Sequence, residues 1–138
     1  MTFVPRKSYV TGDVSAHEIA WIGGQLVFVN TRFSCLSTIS ENFSFKPVWQ
    51  PKFSTYLAAE DRCHFNGMAV SENGIQYITA LGETDTEEGW RDNKRDGGIL
   101  MHAPSGEIIC RKLCMPHSPR IYGNRLWLLD SGVGELQV

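Results

Sequence analysis

The stretch "MPHSPRIYGNRLWLLDSG", residues 115–132, overlays without a gap on "SAHEIAWIGGQLVFVNTR", residues 15–32. His117 falls on His17, Gly123 on Gly23, Leu126 on Leu26 and Asp130 on Asn30. A looser third copy, "CHFNGMAVSENGIQYITALG", spans residues 63–82 and carries two more residues in its turn. The histidines that open the copies are His17, His64 and His117, a spacing of about 50 residues. That period belongs to blade-type or solenoid units.

Each copy reads as β-structure. Gly23-Gly24, Asn73-Gly74 and Gly123-Asn124 are turn pairs suited to positive φ, the mark of tight hairpins. The runs after them, "LVFV", "IQYITA" and "LWLL", are short and rich in β-branched and aromatic residues. Two of the three are apolar without alternation, which predicts strands covered on both faces. "CLSTIS" and "FKPVWQP" supply two further strands after the first copy, and "GGILMHAPSG" and "EIICRKLC" two after the second. Four strands per unit at this period predict an all-β, β-propeller-like fold of four-stranded antiparallel blades, about two and a half of them in this chain.

One incomplete propeller domain is therefore expected over residues 1–138. Residues 1–14 read as the outer strand of a preceding blade and 15–58 as a blade. Residues 59–115 read as a second blade, interrupted by a charged insertion at 82–98. Residues 116–138 read as the inner half of a third. So few blades predict either a piece of a longer protein or closure by association. In the second case a homo-oligomer or a second chain completes the ring. An open stack would leave unpaired strand edges and an uncovered apolar face.

Composition limits the partners. The 138 residues are 42% hydrophobic and 20% charged, with a formal net charge of -2. This balance argues against electrostatic capture of nucleic acid or an anionic membrane, which needs a basic patch. No apolar run approaches the roughly 18 residues of a membrane span. The opening "MTFVPRKSYVTGDV" lacks the apolar core of a secretory signal, so a cytoplasmic protein is expected. Cys35, Cys63, Cys110 and Cys114 form no C-x-x-C pair. Cys110 and Cys114 on one extended strand stand about 13 Å apart, beyond the about 7 Å that a disulfide spans. Reduced thiols are expected.

The three histidines are the first candidate site. If each begins the innermost strand of its blade, the imidazoles converge at one mouth of the central channel. There they are candidates to bind a ligand, to hold a divalent metal with an open position, or to move protons. The alternative is structural: each His bonds a neighbouring blade's backbone and pins its strand start. Glu18 and Asn66 lie close behind the histidines and are candidate supporting partners. Arg120, on the same predicted strand as His117, is suited to a carboxylate or phosphate, or to a salt bridge between blades.

The insertion "GETDTEEGWRDNKRDGG", residues 82–98, is the second feature. Loops beyond about 12–15 residues are often functional. Trp90 stands among opposite charges, as a binding-surface anchor would, or folds the loop down by its own burial. The carboxylates lack the frame of a calcium loop. There is no G-x-S-x-G elbow, no P-loop and no G-x-G-x-x-G opening a helix. Nothing in the chain points to a nucleophilic hydrolase or a nucleotide-binding protein.

The segments "CHFNGMAV", "ITALGETDT", "NKRDGG", "PSGE", "MPHSPR" and "RLWLLDSGVGEL", with "GDVSAHEIAWIGGQLVFVNTRFSCL", cover nearly the whole chain. Together they resemble an uncharacterised bacterial family built on a domain of unknown function, sometimes associated with tetratricopeptide-repeat proteins. The resemblance implies a propeller-like all-β protein longer than this chain, and brings no activity or catalytic residue. Three readings follow. The first is a ligand- or partner-binding module with its site at the His17, His64 and His117 mouth and the Trp90 loop as lid. The second is a metal-dependent hydrolase or lyase for a small polar substrate, with Glu18 or a loop carboxylate as base. The third is a structural piece without its own site.

Overall fold

The computed structural model describes residues 2–138, and it is all-β. The first sheet is an antiparallel meander of β1 (Ala16–Ile22), β2 (Gln25–Asn30), β3 (Cys35–Thr38) and β4 (Lys46–Trp49). The second repeats that order with β5 (Phe65–Ser71), β6 (Gly74–Ala80), β7 (Gly98–His102) and β8 (Glu107–Leu113). The third has β9 (Pro116–Tyr122), β10 (Arg125–Asp130) and β11 (Glu135–Gln137). Among the described residues no sheet closes on itself.

The hairpins form where the glycine pairs predict. Gly23 and Gly24 have φ of 56° and 81°, and Gly123 and Asn124 have 57° and 60°. Both pairs therefore take the left-handed conformation that matches strand twist. At the middle hairpin the turn moves one place back. Ser71 pairs with Gly74, so Glu72 and Asn73 make the loop and Gly74 opens β6.

The main core lies between the first two sheets. Val27, Val29 and Leu36 meet Phe65, Met68, Ile78, Ile99 and Met101, all buried. Each such side chain contributes about 1.5–3 kcal/mol by leaving water. The second sheet is covered on both sides, because Leu100 and Leu113 turn the other way to meet Leu128 of β10. That is why β7 reads "GILM" without alternation. The third sheet is covered on one side only, and Leu129 and Leu136 stay exposed. The apolar run "LWLL" thus predicts burial on both faces that β10 does not have here.

The first strands lie side by side, with β5 between β1 and β9. Close approach is possible because β5 carries a glycine where β9 carries a proline. A Cβ on Gly67 would stand 2.5 Å from Pro119 Cδ.

Two expectations need correction. Residues 2–14 form no strand. They run along the outer face of the first sheet, where Tyr9 and Val14 lie beside Ile19 and Phe28. Residues 116–138 hold three strands rather than two, because the turn after Asp130 closes. Val133 and Gly134 N–H both donate to the Asp130 carbonyl, and β11 then pairs with β10. The insertion at 82–98 joins β6 to β7 as expected, but it is not structureless: Gly89–Asn93 forms a 3-10 turn. Among the described residues, no helix is long and apolar enough to cross a membrane.

Candidate functional site

The beginnings of β1 and β5 bring His17 and His64 together. Their ring centroids are 4.9 Å apart and the rings meet edge-on at 77°. His17 Nδ1 lies 3.1 Å from the Ser15 carbonyl and 2.7 Å from Thr31 Oγ1. A carbonyl only accepts, so the proton of a neutral His17 ring sits on Nδ1. Thr31 Oγ1 donates its own hydrogen bond to the Phe65 carbonyl, which ties the first sheet to the second. The tautomer leaves Nε2 as an acceptor, and it has no protein partner among the described residues.

His64 is held differently. Its Nδ1 donates to Asp61 Oδ2 at 2.7 Å. Trp90 Nε1 donates to the same oxygen at 3.2 Å, and the Trp90 ring lies 4.3 Å from the His64 ring. Asp61 and His64 both have left-handed φ, 46° and 52°. Such conformations cost of order 1–3 kcal/mol each and gather at functional sites. A carboxylate on Nδ1 orients the ring and fixes the tautomer that leaves Nε2 as an acceptor.

His117 does not join the pair. Its Nδ1 lies 2.8 Å from the Met115 carbonyl. Met115 and Ser15 are both left-handed, with φ of 52° and 46°. In both places the histidine bonds the carbonyl two residues earlier in its own segment, rather than the neighbouring blade's backbone that the structural alternative expects. Among the described residues no three His, Cys, Asp or Glu side chains stand in a metal-holding group. The expected metal trio of His17, His64 and His117 is therefore not assembled among the described residues.

The remaining candidates divide. Asn66 is 5% exposed; its Oδ1 accepts from Thr79 Oγ1 at 2.6 Å, while its Nδ2 has no partner. Asp61 Oδ1 is likewise buried without a partner. Glu18 and Arg120 are bonded to each other at 2.5 Å. Glu18 also accepts from the Met68 N–H at 2.8 Å, which leaves it poorly placed as a base. Trp90 is 6% exposed rather than an open anchor. Arg91 stacks over its ring at 4.5 Å. The insertion lies folded down through Trp90, in line with the second of the two readings of that residue, with the indole against His64 and Asp61.

What holds it down was not visible in the sequence. Arg62 is buried; its guanidinium lies 2.8 Å from Glu60 and 2.7 Å from Asp85, against the Tyr56 ring. Thr55 gives Asp85 both its hydroxyl and its N–H, and Arg62 adds its charge, so the Asp85 carboxyl stays below its ordinary range. The Glu88 N–H donates to the Glu60 carbonyl at 2.9 Å. The only sequence signal was charge density in "AAEDRC" and "ETDTEE". The pairing depends on which loop meets which.

The four cysteines are free. Burial pushes the Cys35 thiol up to about 11 and the Cys63 thiol up to about 12. Both are protonated at neutral pH and unsuited to nucleophilic chemistry.

No curated protein and no solved structure matches the chain. The family model described as a domain of unknown function (DUF4915) matches residues 1–138, and the chain belongs to that family.

Proposed function

We propose that this chain is a ligand-binding module whose three sheets are blades of a propeller-like array, with the binding site at the mouth where β1 and β5 begin. The carrying observation is the Asp61–His64 pair beside His17. It presents two imidazole Nε2 acceptors next to a carboxylate whose Oδ1 is unpartnered. Such a mouth favours a small hydroxyl-bearing ligand that donates to the Nε2 atoms, such as a sugar or polyol. Buried polar groups without partners cost about 1–3 kcal/mol each, so a ligand or water that satisfies them is held firmly.

Histidine-ring 15N spectra recorded during titration with a set of monosaccharides and polyols test this reading. The expected result is saturable movement of the His17 and His64 Nε2 resonances, with His117 unmoved. No movement at millimolar concentrations of any member rejects the polyol class.

A metal-dependent hydrolase or lyase is the second reading. One observation favours it: the Asp61 carboxylate on His64 Nδ1 is the support that metal-bound imidazoles commonly have. Titration with Zn2+ in the same spectra separates the two. Stoichiometric loss or shift of the His17 and His64 Nε2 signals supports metal, and an unchanged spectrum removes it.

A further inference from the structure

A cleft of about 250 Å³ lies across β1, β5 and β9, the first strands of the three sheets. Its lining includes Glu18 and Ile19 of β1, Met68 and Val70 of β5, and Arg120 and Ile121 of β9. No histidine lines it, so it is distinct from the mouth at His17 and His64. Glu18 and Arg120 are the only charged residues in the lining.

Arg120 is held from the protein side and open on the other. Its Nη1 donates to the Met68 carbonyl at 3.3 Å and to the Pro119 carbonyl at 2.7 Å. Its Nη2 donates to Glu18 at 2.5 Å. Glu18 is only 16% exposed and also accepts from the Met68 N–H, whereas the Arg120 side chain is 55% exposed. A guanidinium carries five N–H groups. Three are taken here, and Nε–H and one Nη2–H have no protein acceptor among the described residues. Two N–H groups on one planar guanidinium are what a carboxylate accepts as a fork. The tethers already order the side chain, so binding removes little further freedom from it.

Charge and walls select the ligand. Glu18 already balances the Arg120 charge, so a dianion such as phosphate meets no excess positive charge and a carboxylate beside it. A monocarboxylate brings the least added charge that still uses the fork. Ile19, Val70 and Ile121 are exposed apolar walls of the same cleft, and covering them with an apolar tail is favourable. We infer that this cleft binds a small aliphatic monocarboxylate, with the carboxylate on Arg120 and the tail across Ile19, Val70 and Ile121. The inference does not use the histidine mouth or its ligand.

Titration of the full chain with isovalerate, with neutral isovaleramide and with inorganic phosphate tests it, read through arginine Nε–H and isoleucine and valine methyl signals. The expected result is saturable movement of the Arg120 Nε–H and of the Ile19, Val70 and Ile121 methyl signals with isovalerate. The amide, which lacks the charge, should bind at least about tenfold more weakly. R120M should weaken isovalerate binding by a similar factor, with the fold kept intact as judged by its melting curve. Equal binding of acid and amide overturns the inference. So does the absence of any movement at millimolar isovalerate. Phosphate that moves the Nε–H signal as isovalerate does, with the methyl signals still under both, marks an adventitious ion only and overturns it too. The comparison of acid with amide uses the wild-type chain, so it decides the matter even if R120M fails to fold. None of these signals belongs to His17 or His64, so this inference and the polyol reading fail separately.

Discussion

Glu18 and Arg120 come from the first strands of the first and third sheets, and their side chains meet at 2.5 Å across the middle sheet. Between them lies Met68 of β5, whose N–H donates to Glu18 and whose carbonyl accepts from Arg120 at 3.3 Å. One residue from each first strand thus closes a polar clasp over three sheets.

The clasp predicts an asymmetry between its two ends. Arg120 is half exposed, so R120A removes a surface-type pair and costs at most about 1 kcal/mol. E18A also strands the Met68 N–H and costs about 1–3 kcal/mol. E18Q keeps an acceptor and falls between them. Urea unfolding of the three variants checks the order.

Trp90 predicts a second ordering. W90A empties a buried aromatic site and costs about 3–5 kcal/mol. W90F keeps the ring against His64 but loses the indole bond to Asp61, and costs about 1–3 kcal/mol. Thermal unfolding measures both. The His64 ring signal should shift in W90F as its packing partner changes.

The Arg62–Asp85 link predicts a pH dependence. The folded Asp85 carboxyl lies below its ordinary value of 3.8, chiefly through the Thr55 hydroxyl and then Arg62. A carboxyl depressed by folding contributes stability that is complete above its unfolded value. That contribution is lost as pH falls through the folded one. The melting temperature should therefore fall steeply with acid below pH 3.8, and D85N should flatten that part of the slope. R62M should lower the melting temperature at neutral pH more than D85N does, because it leaves both Glu60 and Asp85 without their cation.

Burial of Cys35 and Cys63 predicts selective thiol chemistry. With thiols pushed up to about 11 and about 12, neither forms thiolate at pH 8. A disulfide-exchange reagent should modify the half-buried Cys110 and Cys114 first. Cys35 and Cys63 should react only as the chain unfolds. Peptide mass mapping after a timed reaction reads this directly.

The strand order was legible in the sequence because hairpin glycines and short β-branched runs act locally. A Gly-Gly or Gly-Asn pair between two β-forming runs takes positive φ readily, as Gly23-Gly24 and Gly123-Asn124 do, and the strands on either side follow. The four-stranded first and second sheets and the insertion between β6 and β7 came from such signals. The candidate site was legible only in part. Aligned histidines said that His17, His64 and His117 share a strand position, but a shared position does not fix a shared environment. His17 and His117 turn to their own carbonyls, while His64 finds Asp61, three residues before it. Asp61 matters because Trp90 reaches it from the insertion.

By itself, then, the sequence determined that the chain is all-β, with two of its hairpin turns at the glycine pairs, the third one residue away, and a charged insertion in the second sheet. Those features depend on backbone conformation and on the period of apolar side chains, which neighbouring residues decide. Tertiary structure alone decided that Glu18 pairs with Arg120, that Arg62 holds the insertion through Asp85, and that Trp90 is buried against His64. Each of those contacts joins segments distant in the chain, and a side chain's partner is set by which sheet packs on which.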